Sequence, residues 1–557
     1  MNANGMNGKT ERHPEGLLLK NGMVVDGETG EVKRQDVWIV GGRIARVAPE
    51  MDEACAERVV DCSGQVVTAG FIDSHVHIES SMVLPEAFGC AVLPHGTTTV
   101  IADPHEVVNV AGAEGLRRFL KEARRAPISV FTVIPSCVPA TRLDTNGAGH
   151  FTADQMREFV DLPDVVGLGE VMSFGDVVAL EPEMMAKLEL FRGRPIDGHT
   201  AGMPDEMLDA YVAQGISNDH ECYDAKGVLM RYAKGMNIYI REGSAARNGH
   251  DLLLCVKENG LDCSRFAFCT DDKHLATIAQ EGHISYLVRM ALQLGFSWGE
   301  VARMASFNPC QYYHLTGRGN VREGYVADLV VLDEQAEQIS LVLKEGRPAQ
   351  EVLQSHGHAK MEPVGNSVQF RTLEPKDFEL KPNAQQLAIQ LMEGQLLTQP
   401  LPLKEGEWQG MNRLATIERY GKNGHMALCP LAGYGIRGGA VATSVSHDSH
   451  NVVCAGDNAT DMAVACNRLR ELGGGYVLAS GGQVVGEFAL PFYGLMSPVA
   501  TEEAIEGIAR IEQMAHEMGV NPGIDPFITL SFVALPVIPT LRLLDTGLYN
   551  VLQGKYY

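Results

Sequence analysis

The sequence predicts an α/β protein built on a parallel sheet, bracketed by β-rich flanks and followed by an α+β domain. Three observations predict this. From about residue 69 to 320, short apolar strand-like runs alternate with helical stretches, the pattern of repeated β-then-α units. Strand-and-turn segments lie on both sides of it, at 17–68 and 321–365. From 366 to 557 the chain turns polar and then Gly-rich. At 557 residues the chain is too long for one core and suits about three or four units.

Taken in order, Leu17-Leu18-Leu19 leads to Asn21-Gly22, a hairpin signal, and then to Met23-Val24-Val25. Residues 37–40 precede Gly41-Gly42, and 43–47 come after as the returning strand. The same texture returns at 327–332, so the two flanks are expected to build one small β-sandwich. In the middle, 130–134, 165–169 and 266–269 read as strands and 113–126 as a helix. Ser297 and Glu300 form a capping box, with Phe296 and Val301 as its hydrophobic staple. Thr501 is the expected N-cap of an amphipathic helix whose Ile505, Ile508, Ile511 and Met514 make one apolar stripe. Residues 527–539 read as β-like. Length and composition do not separate a closed barrel from an open doubly wound sheet.

Composition narrows the partners. A net charge of −24 repels phosphate backbones, which argues against nucleic acid and allows a small neutral or cationic substrate. The 12 Cys include no CxxC pair and are expected to be reduced, buried small hydrophobes. The polar first 16 residues lack the apolar core of a signal peptide, and no uncharged apolar run reaches spanning length. These features predict a cytoplasmic protein with no membrane partner.

The chemistry begins at Gly70-Phe71-Ile72-Asp73-Ser74-His75-Val76-His77. Residues two apart in a strand share a face, so His75 and His77 present two imidazoles side by side. Imidazole suits zinc, manganese or iron. Such a pair alone is weak; His356 and His358 form another, read as a surface turn because no strand feeds it. The first pair gains weight from four residues further along the chain. Short strand-like segments end in Glu170, His199, His220 and Asp271 in turn. Catalytic groups of (β/α)8 barrels sit at the C-terminal ends of the strands.

That ordered series resembles the amidohydrolase superfamily, and the flanks at 19–22 and 324–331 resemble its flanking sandwich. The runs 75–82, Gly96-Thr97-Thr98-Thr99 and Asp103-Pro104-His105-Glu106 are similar to the bacterial adenine deaminases within it, as is Ser446-His447-Asp448-Ser449-His450-Asn451. The resemblance implies a (β/α)8 TIM-like barrel holding a binuclear divalent metal site, manganese first, with iron or zinc as other choices. It implies that His75, His77 and Asp271 hold one metal, that His199 and His220 hold the other, and that Glu170 bridges them. A bridging group must be anionic and bidentate, which a Glu carboxylate is, and two metals lower the pKa of a shared water. Asp271 is expected to be the general base. Glu221 is expected to be the acid or to orient an imidazole. Asp272, His274, His105 and Glu106 are expected in supporting roles, Glu79, Ser80 and Ser81 could line the pocket, and the His447/His450 loop receives no metal. The implied reaction is hydrolytic deamination of a purine base, adenine, by a homo-oligomer. The alternatives are a cyclic amidase or deaminase of another heterocycle, and a catalytically dead scaffold.

Overall fold

The computed structural model describes residues 16–244, 246–356, 361–380 and 387–557. Both flanks join in one eight-stranded sheet. Leu329–Leu332 lies antiparallel to Val66–Ala69, which in turn pairs with Leu17–Val25. Asn21-Gly22 is not a hairpin turn. It is a bulge inside the continuous strand Leu17–Val25, with Asn21 at φ 61°. A Cβ on Gly22 would lie 2.5 Å from Val67 Cγ2, so the strand keeps a residue without one there. The bulge lets one strand serve two neighbours: residues 17–20 pair with Arg58–Asp61, and 23–24 with Val66–Ala69. Gly41-Gly42 does turn, with φ of 55° and 77°, and joins Val32–Val40 to Arg43–Ala48. Of the second histidine pair only His356 lies among the described residues; His358 is outside them.

The central stretch forms eight parallel strands: β1 Phe71–Val76, β2 Thr97–Ala102, β3 Ser129–Ile134, β4 Val165–Val171, β5 Ile196–Gly198, β6 Asn218–Asp219, β7 Asn237–Arg241 and β8 Phe266–Cys269. β1 to β5 are paired in sequence, and so are β6 to β8. Two seams close them into a barrel. Ser217 N donates to Ile196 O at 3.3 Å and Gly198 N to Asn218 Oδ1 at 2.8 Å across the first. Asp271 N donates to His75 O, and His77 N to Asp271 O, both at 2.9 Å, across the second. Ile72, Ile101, Val133, Tyr239, Ala267 and Cys269 pack as one cluster drawn from five of the strands. Helix His105–Ala123 comes after β2, and the capping box of Ser297 and Glu300 is formed as the sequence requires.

The C-terminal part is a second eight-stranded sheet with helix Ala459–Leu472 against it. Two expectations fail here. Ala500, not Thr501, is the N-cap of helix Thr501–Glu517. The Thr501 hydroxyl donates instead to Ala87 O on the barrel side at 2.8 Å, so it ties two parts of the molecule together. Residues 526–532 are a helix rather than a strand, because Asp525 accepts from Phe527 N and Ile528 N and Pro526 takes the first turn. The loop from 444 to 451 leaves this sheet and reaches the barrel mouth. Ser497 N donates to Met82 O at 2.8 Å and Asn451 Nδ2 to Thr145 O at 3.1 Å.

Candidate metal centre

The six side chains picked from strand ends meet at the C-terminal mouth of the barrel. His75 lies in β1 and His77 just after it; Glu170 lies in β4; His199, His220 and Asp271 come after β5, β6 and β8. His75 Nε2 and His77 Nε2 are 3.2 Å apart, and Asp271 Oδ1 lies 3.6 and 3.1 Å from them. Glu170 divides its oxygens. Oε1 is 3.4 Å from His77 Nε2, while Oε2 is 2.6 Å from His199 Nδ1 and 3.3 Å from His220 Nε2. The carboxylate therefore touches both sets of imidazoles, the geometry expected of a bridging group.

The unpaired atoms say what the cluster fits. His77 Nδ1 lies 2.9 Å from Asp103 O, a carbonyl that can only accept. The proton is thus on Nδ1, and the Nε2 lone pair faces the cluster. Neither ring nitrogen of His220 has a hydrogen-bond partner, although its Nε2 is close to Glu170; His75 Nδ1 and His105 Nδ1 are also buried and unpartnered. Each such buried atom costs about 1–3 kcal/mol. A divalent cation accepts lone pairs and needs anions, and this donor set of imidazoles and carboxylates supplies both. Two overlapping triads, His75/His220/Asp271 and Glu170/His199/His220, have ligand atoms within 4.8 Å of one another.

Arg241, the last residue of β7, had no place in the expected site. Its Nη1 lies 2.9 Å from Asp271 Oδ2, and it is also paired with Glu221, through Nη2 to Oε2 at 3.1 Å. Burial pushes the Asp271 and Glu221 carboxyls up, but Arg241 and the neighbouring histidines outweigh it and hold both below their ordinary values. Burial raises Glu170 as well, and His199 and His220 override it. Asp271 also sits at φ 60°, in the left-handed region, a conformation that costs energy outside glycine and is held by the two backbone bonds that close the barrel. Asp103, at the end of β2, receives Glu170 N at 2.9 Å. Both carry a mark in the sequence like that of the six ligand candidates: each stands at the end of a strand-like run. His105 comes closer than expected, with Nδ1 3.3 Å from Glu170 Oε1. Glu221 Oε1 stands 3.4 Å from His220 Nε2 and 3.7 Å from His199 Nδ1. Asp272 accepts from Ser80 Oγ, and Ser244 Oγ accepts from His274 N at 2.9 Å.

A second group lies at the seam with the C-terminal part. His447 Nδ1 and His450 Nε2 each face one oxygen of Glu106. His450 Nδ1 accepts from Ser446 N at 3.1 Å, so both of its ring nitrogens have partners.

A closed barrel with imidazoles and carboxylates converging on its C-terminal mouth defines the class: a metal-dependent barrel protein of the amidohydrolase type. The amidohydrolase family model matches residues 66–355, and the adenine deaminase C-terminal domain model matches 395–555. An adenine deaminase of Desulfitobacterium hafniense is 40% identical over 550 residues, covering 97% of this chain and 96% of that protein. Adenine deaminases of Kosmotoga olearia and Brucella anthropi are each 38% identical, over 98% and 97% of this chain. The chain belongs to the amidohydrolase family, in its adenine deaminase branch. No helix among the described residues is long and apolar enough to cross a membrane.

Proposed function

We propose that this chain hydrolyses adenine to hypoxanthine and ammonia. The divided Glu170 carboxylate, one oxygen on each set of imidazoles, supports a two-cation hydrolase, and the likeness to an adenine deaminase over 97% of this chain supports adenine as its substrate. In this reading His75, His77 and Asp271 hold one divalent cation, His199 and His220 hold the other, and Glu170 spans them. Manganese is the first choice, with iron or zinc as alternatives. When bound, such a pair supplies hydroxide at neutral pH. The remaining work falls to side chains. Water adds to the ring carbon bearing the amine, with one proton passing to Asp271 and one gained by the ring nitrogen; the carbon–nitrogen bond then breaks as Asp271 gives its proton to the departing amine, and the hydroxyl left on the carbon loses its proton to become the carbonyl. Arg241 fixes the orientation of the Asp271 carboxylate through its contact with Oδ2. Glu221, ionised beside the same Arg241, must first gain a proton to protonate the ring nitrogen; otherwise it orients His199 and His220. The partner is a free purine base rather than nucleic acid, in keeping with a net charge of −24. The protein is proposed to work in the cytoplasm as a homo-oligomer.

The test is loss of adenine absorbance together with ammonia release by manganese-loaded protein, run beside guanine, cytosine and hydantoin, with Asp271→Asn as the inactive control. Adenine left intact by protein carrying its full metal complement would sink the reading. Turnover of hydantoin instead would point to a cyclic amidase.

A further inference from the structure

A cavity opens where the barrel mouth meets the C-terminal sheet, next to the metal cluster. Its apolar lining comes almost wholly from the C-terminal part: Val445, Tyr476, Leu495, Ile528 and Phe532, with Met82 the barrel's one contribution. Its polar lining is mainly the barrel's: Glu79, Ser80, Asp272 and His274. Asp272 comes directly after Asp271, so cluster and cavity share a wall. Val445, His447, Ile528 and Phe532 are half-buried while their chain neighbours Ser446, Asp448, Phe527 and Val533 are buried. All four line the cavity. Two flat pairs stand there: Tyr476 is stacked on Phe527 at 4.0 Å and His447 on Phe532 at 4.6 Å, centroid to centroid.

Carboxyls and imidazoles share the lining, His274, His447 and His450 among them. Glu79, Glu106 and Asp272 contribute carboxyls, and no Lys or Arg takes part. Ring N–H and amino groups find acceptors there. Glu79 Oε2 is one such acceptor, buried and without a partner. Aromatic and aliphatic faces with a few polar groups at the edge suit a planar heterocycle.

Resting on the deaminase reading, we infer that this cavity binds the base and that the C-terminal part supplies the wall holding its ring. Glu106, gripped by His447 and His450, fastens that wall to the barrel. The barrel therefore holds the metal residues but half of a substrate site. The C-terminal part is a binding element of the enzyme.

The experiment uses full-length, metal-loaded protein. Phe532→Ala and Ile528→Ala are expected to raise KM for adenine about tenfold or more while kcat moves less than about threefold and metal content stays unchanged. Val537→Ser, exposed and outside the cavity, should leave both constants unchanged. Two cavity variants guard against one failing to fold, which circular dichroism would show. Unmoved KM in both variants overturns the inference and leaves the deaminase reading intact. If wild-type protein leaves adenine unchanged, the deaminase reading falls. Calorimetry then decides the cavity alone: adenine binding that weakens in the variants supports it, and no binding overturns it.

Discussion

Two buried clusters of histidine and carboxylate lie near each other in this molecule and differ in one respect. At the barrel mouth, His220 has no hydrogen-bond partner on either ring nitrogen and His75 none on Nδ1. At the seam, both ring nitrogens of His450 are partnered, one with Ser446 N and one with Glu106. Residue types alone would not separate them, since both groups bring ligand atoms within 4.8 Å. Satisfied imidazoles make a latch. Lone pairs with nowhere to go make a place for a cation.

The comparison can be broken most sharply at the two glutamates. Glu170→Gln should lower kcat/KM by about 10³-fold or more and reduce the bound metal per chain. Glu106→Gln should leave metal content, read by elemental analysis, unchanged. Equal metal loss in both variants would erase the distinction. Arg241→Met comes next. It removes the cation beside Asp271 and Glu221, and kcat should fall about 10–100-fold with metal retained. Chelation has a smaller effect, on stability. Removing metal should lower the melting temperature by several degrees, since a bound cation stabilises only the folded state. That shift should persist in His447→Asn and shrink in His220→Asn.

The smallest effect is a pH dependence of the latch. Burial lowers the His447 pKa, but Glu106 outweighs it and brings the group up to about 9. A histidine raised in the folded state adds stability that is complete below its unfolded value near 6.5 and fades as pH rises through about 9. The melting-temperature advantage of wild type over His447→Asn should therefore be full at pH 6 and gone by about pH 10. An advantage that grew with pH would reverse the assignment.

Much of the site was legible in the chain. His75, His77, Glu170, His199, His220 and Asp271 each end a strand-like run, and a barrel turns that one-dimensional pattern into one mouth. Arg241 and Asp103 carry the same mark without standing out, because an arginine is no metal ligand and Asp103 lies in a stretch that reads as a supporting loop. The helix 526–532 reads as strand in the sequence because its apolar side chains cover too much of it to show a period. Asn21-Gly22 reads as a turn because bulges and hairpins draw on the same residues.

The alternation of strand and helix and the residues that could bind cations are set locally, by side-chain period and side-chain chemistry. Long-range packing sets which nitrogens are left without partners, brings Arg241 against Asp271, and carries the 444–451 loop to Glu106 across more than three hundred residues. Those outcomes depend on closure of the barrel and on where a distant sheet docks, and neither leaves a periodic trace in the chain.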